Sequence, residues 1–464
     1  MDKTMFDVSS YRNRRQNLRT GIDSGIILLI GNDESPINYA DNHYRFRQDS
    51  TFLYYFGLRR AGLAGIIDVD ENKDYLFGDD ITIDESVFMG FQPALSELAE
   101  KAGVKETGTL AQLENHLKGA AARGKTIHFL PPYRPENKLK LLHWLGIGPE
   151  ETQKAASVEL IKSVVAQREI KSDEELEEIE KAVETSVDMH IAAMQMVKPG
   201  LIESDIVSRI HEIALRAGGG LSFPVIATIH GEILHNPYHG NKLKEGDLFL
   251  LDCGAETAMG YAGDLSSTMP VSRKFSARQK EIYNIVLESH DQSIEMLKPG
   301  VPFRDIYYKA CAVIVEGMKG LGLIRGDTEE ILQAGAHAMF FQCGLGHQMG
   351  LDVHDMEDLG EVYVGYEGRA KSTQFGIKSL RLAKPLLPGM VVTIEPGIYF
   401  IPSLIDIWKS EKRFSEFLNY DKLEAYRDFG GIRNEENFVI TNDGCKLLGK
   451  PKPKTIEDVE KQKI

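Results

Sequence analysis

Cysteine is scarce in this 464-residue chain: there are four, at positions 253, 311, 343 and 445, with no C-x-x-C spacing among them. A disulfide-stapled scaffold is thereby excluded, and a reducing compartment, the cytoplasm, is the expected location. Positive charge is in deficit, with 54 Lys and Arg against 69 Asp and Glu and a net charge of −15. A general nucleic-acid binder needs a basic excess or patch, so that class is set aside. Long apolar runs are missing too: none approaches the ~18 residues a membrane helix requires. The opening stretch MDKTMFDVSSYRNRRQNL is charged and has no apolar core of a secretory signal. What remains, 42% hydrophobic and 27% charged, has the composition of a globular protein too long for one ordinary core.

Residues 1–165 read as a mixed α/β domain. Ile26–Ile30 and Ala64–Val69 are expected strands, Asp70–Lys73 a turn into the strand Tyr75–Phe77, Leu95–Ala102 a helix and Ile127–Leu130 a short strand. The segment YRFRQDSTFLYYFGL (44–58) is expected to pack an edge of this domain. From 166 to 464 a second organisation takes over. Ser172 and Glu175 form a capping box, apolar residues from Leu176 to Met194 recur at helical spacing, and Lys198-Pro199-Gly200 ends the helix. One hundred residues later the same order returns. Ser276 and Gln279 form the box, the helix carries Ile282, Val286 and Ile294, and Lys298-Pro299-Gly300 stops it. Two copies imply two α/β halves related by pseudo-symmetry, with any shared site between them. The final residues, KPKPKTIEDVEKQKI, read as a polar tail with little to bury.

The stretch GDLFLLDCGAETAMGYAGDLSST (246–268) holds an apolar run ending on Asp252, a Gly-containing turn and a second limb carrying Asp264. A hairpin is expected, with the two carboxylates facing each other across the ladder. Carboxylates placed this way repel and favour protonation unless a cation lies between them. This half also supplies His235 in GEILHNPYHG. The other half supplies His347 and His354 in CGLGHQMGLDVHD, Glu395 in TIEPG, and Arg433 and Glu435 in GGIRNEEN. Asp252, Asp264, His347, Glu395 and Glu435 make four carboxylates and one imidazole, a donor set suited to divalent Mn, Co or Zn. Two dications match four carboxylates in charge, and a two-metal site can polarise a carbonyl while a bridging hydroxide attacks it.

The set D-x11-D, GLGHQMGLDVHD, TIEPGIYF and GGIRNE resembles the "pita-bread" metallopeptidases, the family of methionine aminopeptidase, aminopeptidase P and prolidase. The resemblance spans roughly 170–450, and the segment 44–58 is similar to its counterpart in aminopeptidase P and prolidase. It implies an N-terminal α/β domain (1–165) and a pseudo-twofold catalytic domain (166–464), a homodimer, and two metal ions, Mn first. Asp264 and Glu435 would bridge the metals, with Asp252 on one ion and His347 and Glu395 on the other. Glu395 or Glu435 would hold the attacking hydroxide. His235 and His354 would contact the substrate and assist proton transfer, and Arg433 would steady a carboxylate ligand or the substrate. Arg381 matches an Arg with which prolidases grip a dipeptide carboxylate, a task a planar guanidinium suits. Three features depart from the family pattern: the Asp252-to-Asp264 turn is one residue longer than the usual spacing, which a bulge could absorb, Cys343 stands where a second His is common, and Asn434 where an apolar residue is usual.

The resemblance implies hydrolysis of the bond preceding proline, with Xaa-Pro dipeptides as the expected substrates. Action on longer peptides, as an aminopeptidase P, is the alternative. A non-catalytic peptide-binding member of the fold is the reading outside enzymology.

Overall fold

The computed structural model describes residues 5–463. The chain divides into two compact units, one running to Arg168 and including Met356–Val364, the other comprising Glu169–Asp355 and the chain from Gly365. The N-terminal unit is built on a five-stranded sheet in the order Glu106–Gly108, Lys73–Phe77, Ala64–Asp68, Ile26–Ile30, Ile127–Phe129. The three inner strands are antiparallel and the outer two join in parallel. Ile26–Ile30 is apolar at every position because, as an inner strand, it has no solvent face.

The aromatic segment corrects one expectation. Ser50–Phe56 is a helix with all seven residues buried, so it belongs to the interior and not to an edge. Its sequence, STFLYYF, has no charged residue to turn toward water. Beside it Arg15, fully buried, donates to Asp74 at 2.8 Å and to the carbonyls of Tyr55 and Ala102 at 2.7 and 2.9 Å. These bonds offset the cost of burying its charge. The short helix Ile83–Met89 has the opposite character: it buries none of its residues, and Phe88 and nearby Phe91 are 86% and 90% exposed.

In the catalytic-site unit both capping boxes form. Ser172 opens the helix Asp173–Met196 and Ser276 opens Ala277–Glu295. Gly200 and Gly300, each at positive φ, turn the chain after them, which is why each stop ends in glycine. Glu203–Arg216 packs on the first long helix and Phe303–Gly320 on the second. Each half then carries a three-stranded antiparallel sheet. In the first, Leu248–Cys253 lies between Ile226–Thr228 and Leu265–Pro270; in the second, Glu436–Ile440 lies between Val391–Ile394 and Cys445–Leu447. Gly397–Tyr399 pairs separately with Gly431–Arg433.

Two further expectations are corrected. Asp252 lies opposite Ser266, not Asp264, which stands just before its strand and two residues further along the same face. The turn is not a simple hairpin loop: Ala255–Glu256 pairs with Gly220–Leu221, and a Cβ on Gly254 would lie 1.8 Å from the Gly263 carbonyl. That backbone crossing displaces the second carboxylate along the ladder. The C-terminal stretch is not a free polar tail. Ile456–Gln462 is a helix burying Ile456 and Val459, and Lys452 is only 5% exposed. Apolar residues three apart give this helix an inner face. Among the described residues no helix is long and apolar enough to cross a membrane.

Candidate active site

Four of the chemically loaded residues sit at strand ends, where side chains leave the ladder and can converge, and a fifth lies in a loop beside them. Asp252 is the next-to-last residue of the strand Leu248–Cys253, and Asp264 immediately precedes Leu265–Pro270. Glu395 follows Val391–Ile394 and Glu435 precedes Glu436–Ile440. His347 lies in a loop whose backbone is pinned to a strand: its N–H donates to Thr393 Oγ1 at 3.2 Å and its carbonyl accepts from the Thr393 N–H at 3.0 Å. A Cβ on Gly346 would lie 2.1 Å from the Thr393 carbonyl, so this close approach requires glycine.

These side chains line a cavity of about 340 Å³ together with His235, His354, Cys343 and Arg433. Phe223, Ile226, Leu234 and Val353 form its apolar wall. Ligand atoms of Asp264, His347 and Glu435, all buried, lie within 4.8 Å of one another. Glu395 joins them, with Oε1 3.6 Å from His347 Nε2, and Asp264 Oδ2 is 3.3 Å from the same nitrogen. Asp252 lines the cavity but is engaged by Arg433, whose Nη2 donates to its Oδ2 at 2.6 Å. His347 Nδ1 lies 3.0 Å from the Gln348 carbonyl. A proton on Nδ1 makes that bond and turns the Nε2 lone pair toward the carboxylates, the tautomer a metal ligand requires.

The electrostatics describe a cluster built for a cation. Burial, reinforced by Asp252, pushes the Asp264 carboxyl well above the usual range. Glu435 rises likewise through burial and the charges of Asp264, Glu395 and Asp252. Burial raises Glu395 to about 7 although His347 and Arg433 pull it down. Asp252 Oδ1, Asp264 Oδ1 and Glu435 Oε1 are buried with no hydrogen-bond partner within the protein. Buried carboxylate oxygens left this way are costly. Divalent ions among them would satisfy the oxygens and oppose the mutual repulsion, so the donor set fits a divalent metal.

Of the substrate-side residues, His354 packs edge-on against His347, with ring centroids 4.3 Å apart. His235 faces the cavity, its pKa lowered by burial and then by the charges of Arg433 and Arg381. Arg381 does not line the cavity, yet its field reaches His235. Arg433 is fully engaged within the protein, by Asp252, by Ser266 Oγ at 2.9 Å and by Tyr399 Oη at 2.8 Å. Cys343 lines the cavity as a thiol pushed up to about 12 by burial and by Glu395. Sequence reasoning missed Tyr399, Ser266 and Asn437. Ser266 Oγ donates to Glu435 Oε2 at 2.9 Å, and Asn437 clasps the Asp264 backbone, accepting from its N–H and donating to its carbonyl. All three stand within a few residues of a site carboxylate or its motif, Ser266 two beyond Asp264, Tyr399 four beyond Glu395 and Asn437 two beyond Glu435, and that proximity was the signal in the sequence.

Comparison with known proteins gives this geometry its setting. Residues 11–128 match the model of the aminopeptidase P N-terminal domain. Human Xaa-Pro dipeptidase is 31% identical over 447 residues, covering 94% of this chain and 88% of its own. Escherichia coli Xaa-Pro aminopeptidase is 30% identical over 463 residues, covering 97% of this chain and 96% of its own. The solved structure of zinc-substituted E. coli aminopeptidase P in complex with product superposes with a TM-score of 0.80 at 27% identity, covering 99% of this chain and 98% of that one. The fold is therefore a mixed α/β N-terminal domain joined to a pita-bread catalytic domain. Residues 177–442 match the model of metallopeptidase family M24, and the chain belongs to that family.

Proposed function

We propose that this protein is an Xaa-Pro dipeptidase that uses two divalent ions, Mn before Co or Zn, to hydrolyse the bond preceding proline. The observation that carries the reading is the convergence of Asp252, Asp264, His347, Glu395 and Glu435 on one cavity, three of them with buried, unpartnered oxygens. Asp264 and Glu435 would bridge the ions, Asp252 would serve one, and His347 and Glu395 the other. Bound there, such ions polarise a carbonyl and lower the pKa of water. Glu395 or Glu435 would hold the attacking hydroxide and pass on its proton. His354 and His235, which line the same cavity, would contact the substrate and move protons. Arg433, anchored by Tyr399 and Ser266, holds Asp252 in place.

The dipeptide preference rests on Arg381, whose charge is felt at His235 on the substrate side. A dipeptide ends in a carboxylate at proline, and a guanidinium near that end discriminates it from a neutral amide. The second reading, an aminopeptidase P acting on longer peptides, is favoured by the structural likeness to that enzyme along nearly the whole chain. Hydrolysis of Ala-Pro and Ala-Pro-Ala with added Mn²⁺ decides between them. Faster cleavage of Ala-Pro supports the dipeptidase, and preference for Ala-Pro-Ala establishes the second reading. We also propose a cytoplasmic homodimer, supported by the four unpaired cysteines and by the exposed apolar residues around Phe88. A monomeric mass by light scattering refutes the dimer.

A further inference from the structure

Lys452 belongs to the C-terminal stretch and is nevertheless 5% exposed. Its ammonium donates to three oxygens, the Ser266 carbonyl at 2.9 Å, Ser267 Oγ at 3.0 Å and Asn434 Oδ1 at 2.8 Å. None of the three is charged, so the cation is solvated by neutral dipoles alone. Burial lowers its pKa to about 8, while the fields of Glu436 and Glu435 favour the charged form.

Each acceptor belongs to a segment that carries a metal-site carboxylate. Ser266 and Ser267 lie in the strand that Asp264 introduces, and the Ser266 carbonyl also accepts the Glu435 N–H at 3.1 Å. Asn434 adjoins Glu435. The third carboxylate segment is reached through His190, whose Nδ1 is 2.9 Å from Ser267 Oγ and whose Nε2 is 3.2 Å from the carbonyl of Cys253, the neighbour of Asp252. Nε2–H can only donate to that carbonyl, so Nδ1 accepts and the Ser267 hydroxyl must donate to it. This leaves the Ser267 lone pairs for Lys452. Asn434, which departs from the apolar residue usual in the family, thereby has a structural reason: it is an acceptor for this lysine.

We infer that Lys452 is a positioning residue of the metal centre, a buried ammonium that ties together from behind the segments bearing Asp252, Asp264 and Glu435. The inference rests on the metal-site reading proposed above. Groups that orient metal ligands in this way typically govern affinity by about 10–100-fold.

The test is Mn²⁺ binding by calorimetry on the full chain, with folding checked by circular dichroism, together with kcat and KM. Lys452→Met is expected to weaken Mn²⁺ binding by about 10–100-fold and to lower kcat at unchanged KM. Asn434→Leu, which removes one of the three acceptors, is expected to weaken binding by about 10-fold, the lower end of that range. It carries the test if Lys452→Met does not fold. Val459→Ala loosens the same C-terminal segment through packing alone and should bind Mn²⁺ as the unaltered protein does. Unchanged affinity in both Lys452→Met and Asn434→Leu overturns the inference while leaving the metal-site reading intact. An equal loss in Val459→Ala also overturns it, because the effect would then be general loosening. Failure of the unaltered protein to bind Mn²⁺ overturns both.

Discussion

His190 and His290 each stand ten residues before the glycine of a KPG stop, on the long helices of the two halves of the catalytic unit, and both are fully buried. Their surroundings differ. His190 is bonded to Ser267 and to the Cys253 carbonyl, and through Ser267 to Lys452. Burial, and then the Lys452 charge, hold its pKa near 3, so it is a neutral link. His290 has neither ring nitrogen within hydrogen-bond geometry; it lies 3.6 Å from Asp291 and 3.8 Å from Glu436 and tilts against Phe438. In the second half Lys454 pairs directly with Glu436 and Asp291, at 3.1 and 3.0 Å. The C-terminal stretch thus presents two lysines: Lys452 to neutral oxygens, two in the first half and one on Asn434 in the second, and Lys454 to carboxylates of the second half. The first half must hold Asp252 and Asp264 close together against repulsion, and a directional network behind its sheet supplies the rigidity. The second half places Glu395, His347 and Glu435 at loop junctions held by backbone bonds, and behind its sheet a plain ion pair suffices.

The largest expected effect treats the halves as equals. Asp264→Asn in one and Glu435→Gln in the other should each abolish peptidase activity and bound metal, read by metal analysis on protein confirmed to be folded. Full activity in either variant would show that one half suffices. Next, His354→Ala should lower kcat by about 10²–10⁴-fold while metal content stays at the level of the unaltered protein. If it loses metal as readily as His347→Ala does, His354 is a ligand of the second half. Arg381→Ala should cost roughly 10- to 100-fold in kcat/KM on Ala-Pro, the scale of a lost charge-assisted hydrogen bond, and much less on Ala-Pro-Ala. Equal losses on both substrates would make it a structural residue. The smallest effect bears on the contrast itself. His190→Leu strands Ser267 and a buried carbonyl and should lower unfolding stability by about 1–3 kcal/mol. His290→Leu gives up only the longer contacts to Asp291 and Glu436 and should cost less, about 1 kcal/mol. Equal costs in denaturant titrations would erase the distinction between the halves.

The features readable in the sequence were those with local causes. The capping boxes at Ser172 and Ser276 declare themselves within four residues, and both open the helices expected of them. The strand Ile26–Ile30 is legible because an inner strand must be apolar throughout. The motifs around Asp252, Asp264, His347, Glu395 and Glu435 are legible because polar residues interrupt apolar strands there, and the fold gathers all five on one cavity. What stayed hidden depends on tertiary approach. The two-residue offset of Asp264 follows from the crossing of Gly254 and Gly263, which no spacing rule encodes. Tyr399 comes to Arg433 from a paired strand 34 positions away. Lys452 looks solvent-bound in a run of Lys and Pro until its three acceptors are seen together.

The buried lysine also bears on how the protein can be handled in the laboratory. An affinity tag or fusion partner appended after the helix Ile456–Gln462 leaves the amine and its acceptors in place. Trimming the chain back to Leu448, where the last strand is complete and the remainder resembles an expendable extension, would remove the ammonium and leave Ser266, Ser267 and Asn434 facing an unfilled gap. A protease that nicks the stretch between Gly449 and Thr455 would therefore act as an inactivating enzyme, although its cut falls in a segment that contributes no ligand to the cavity.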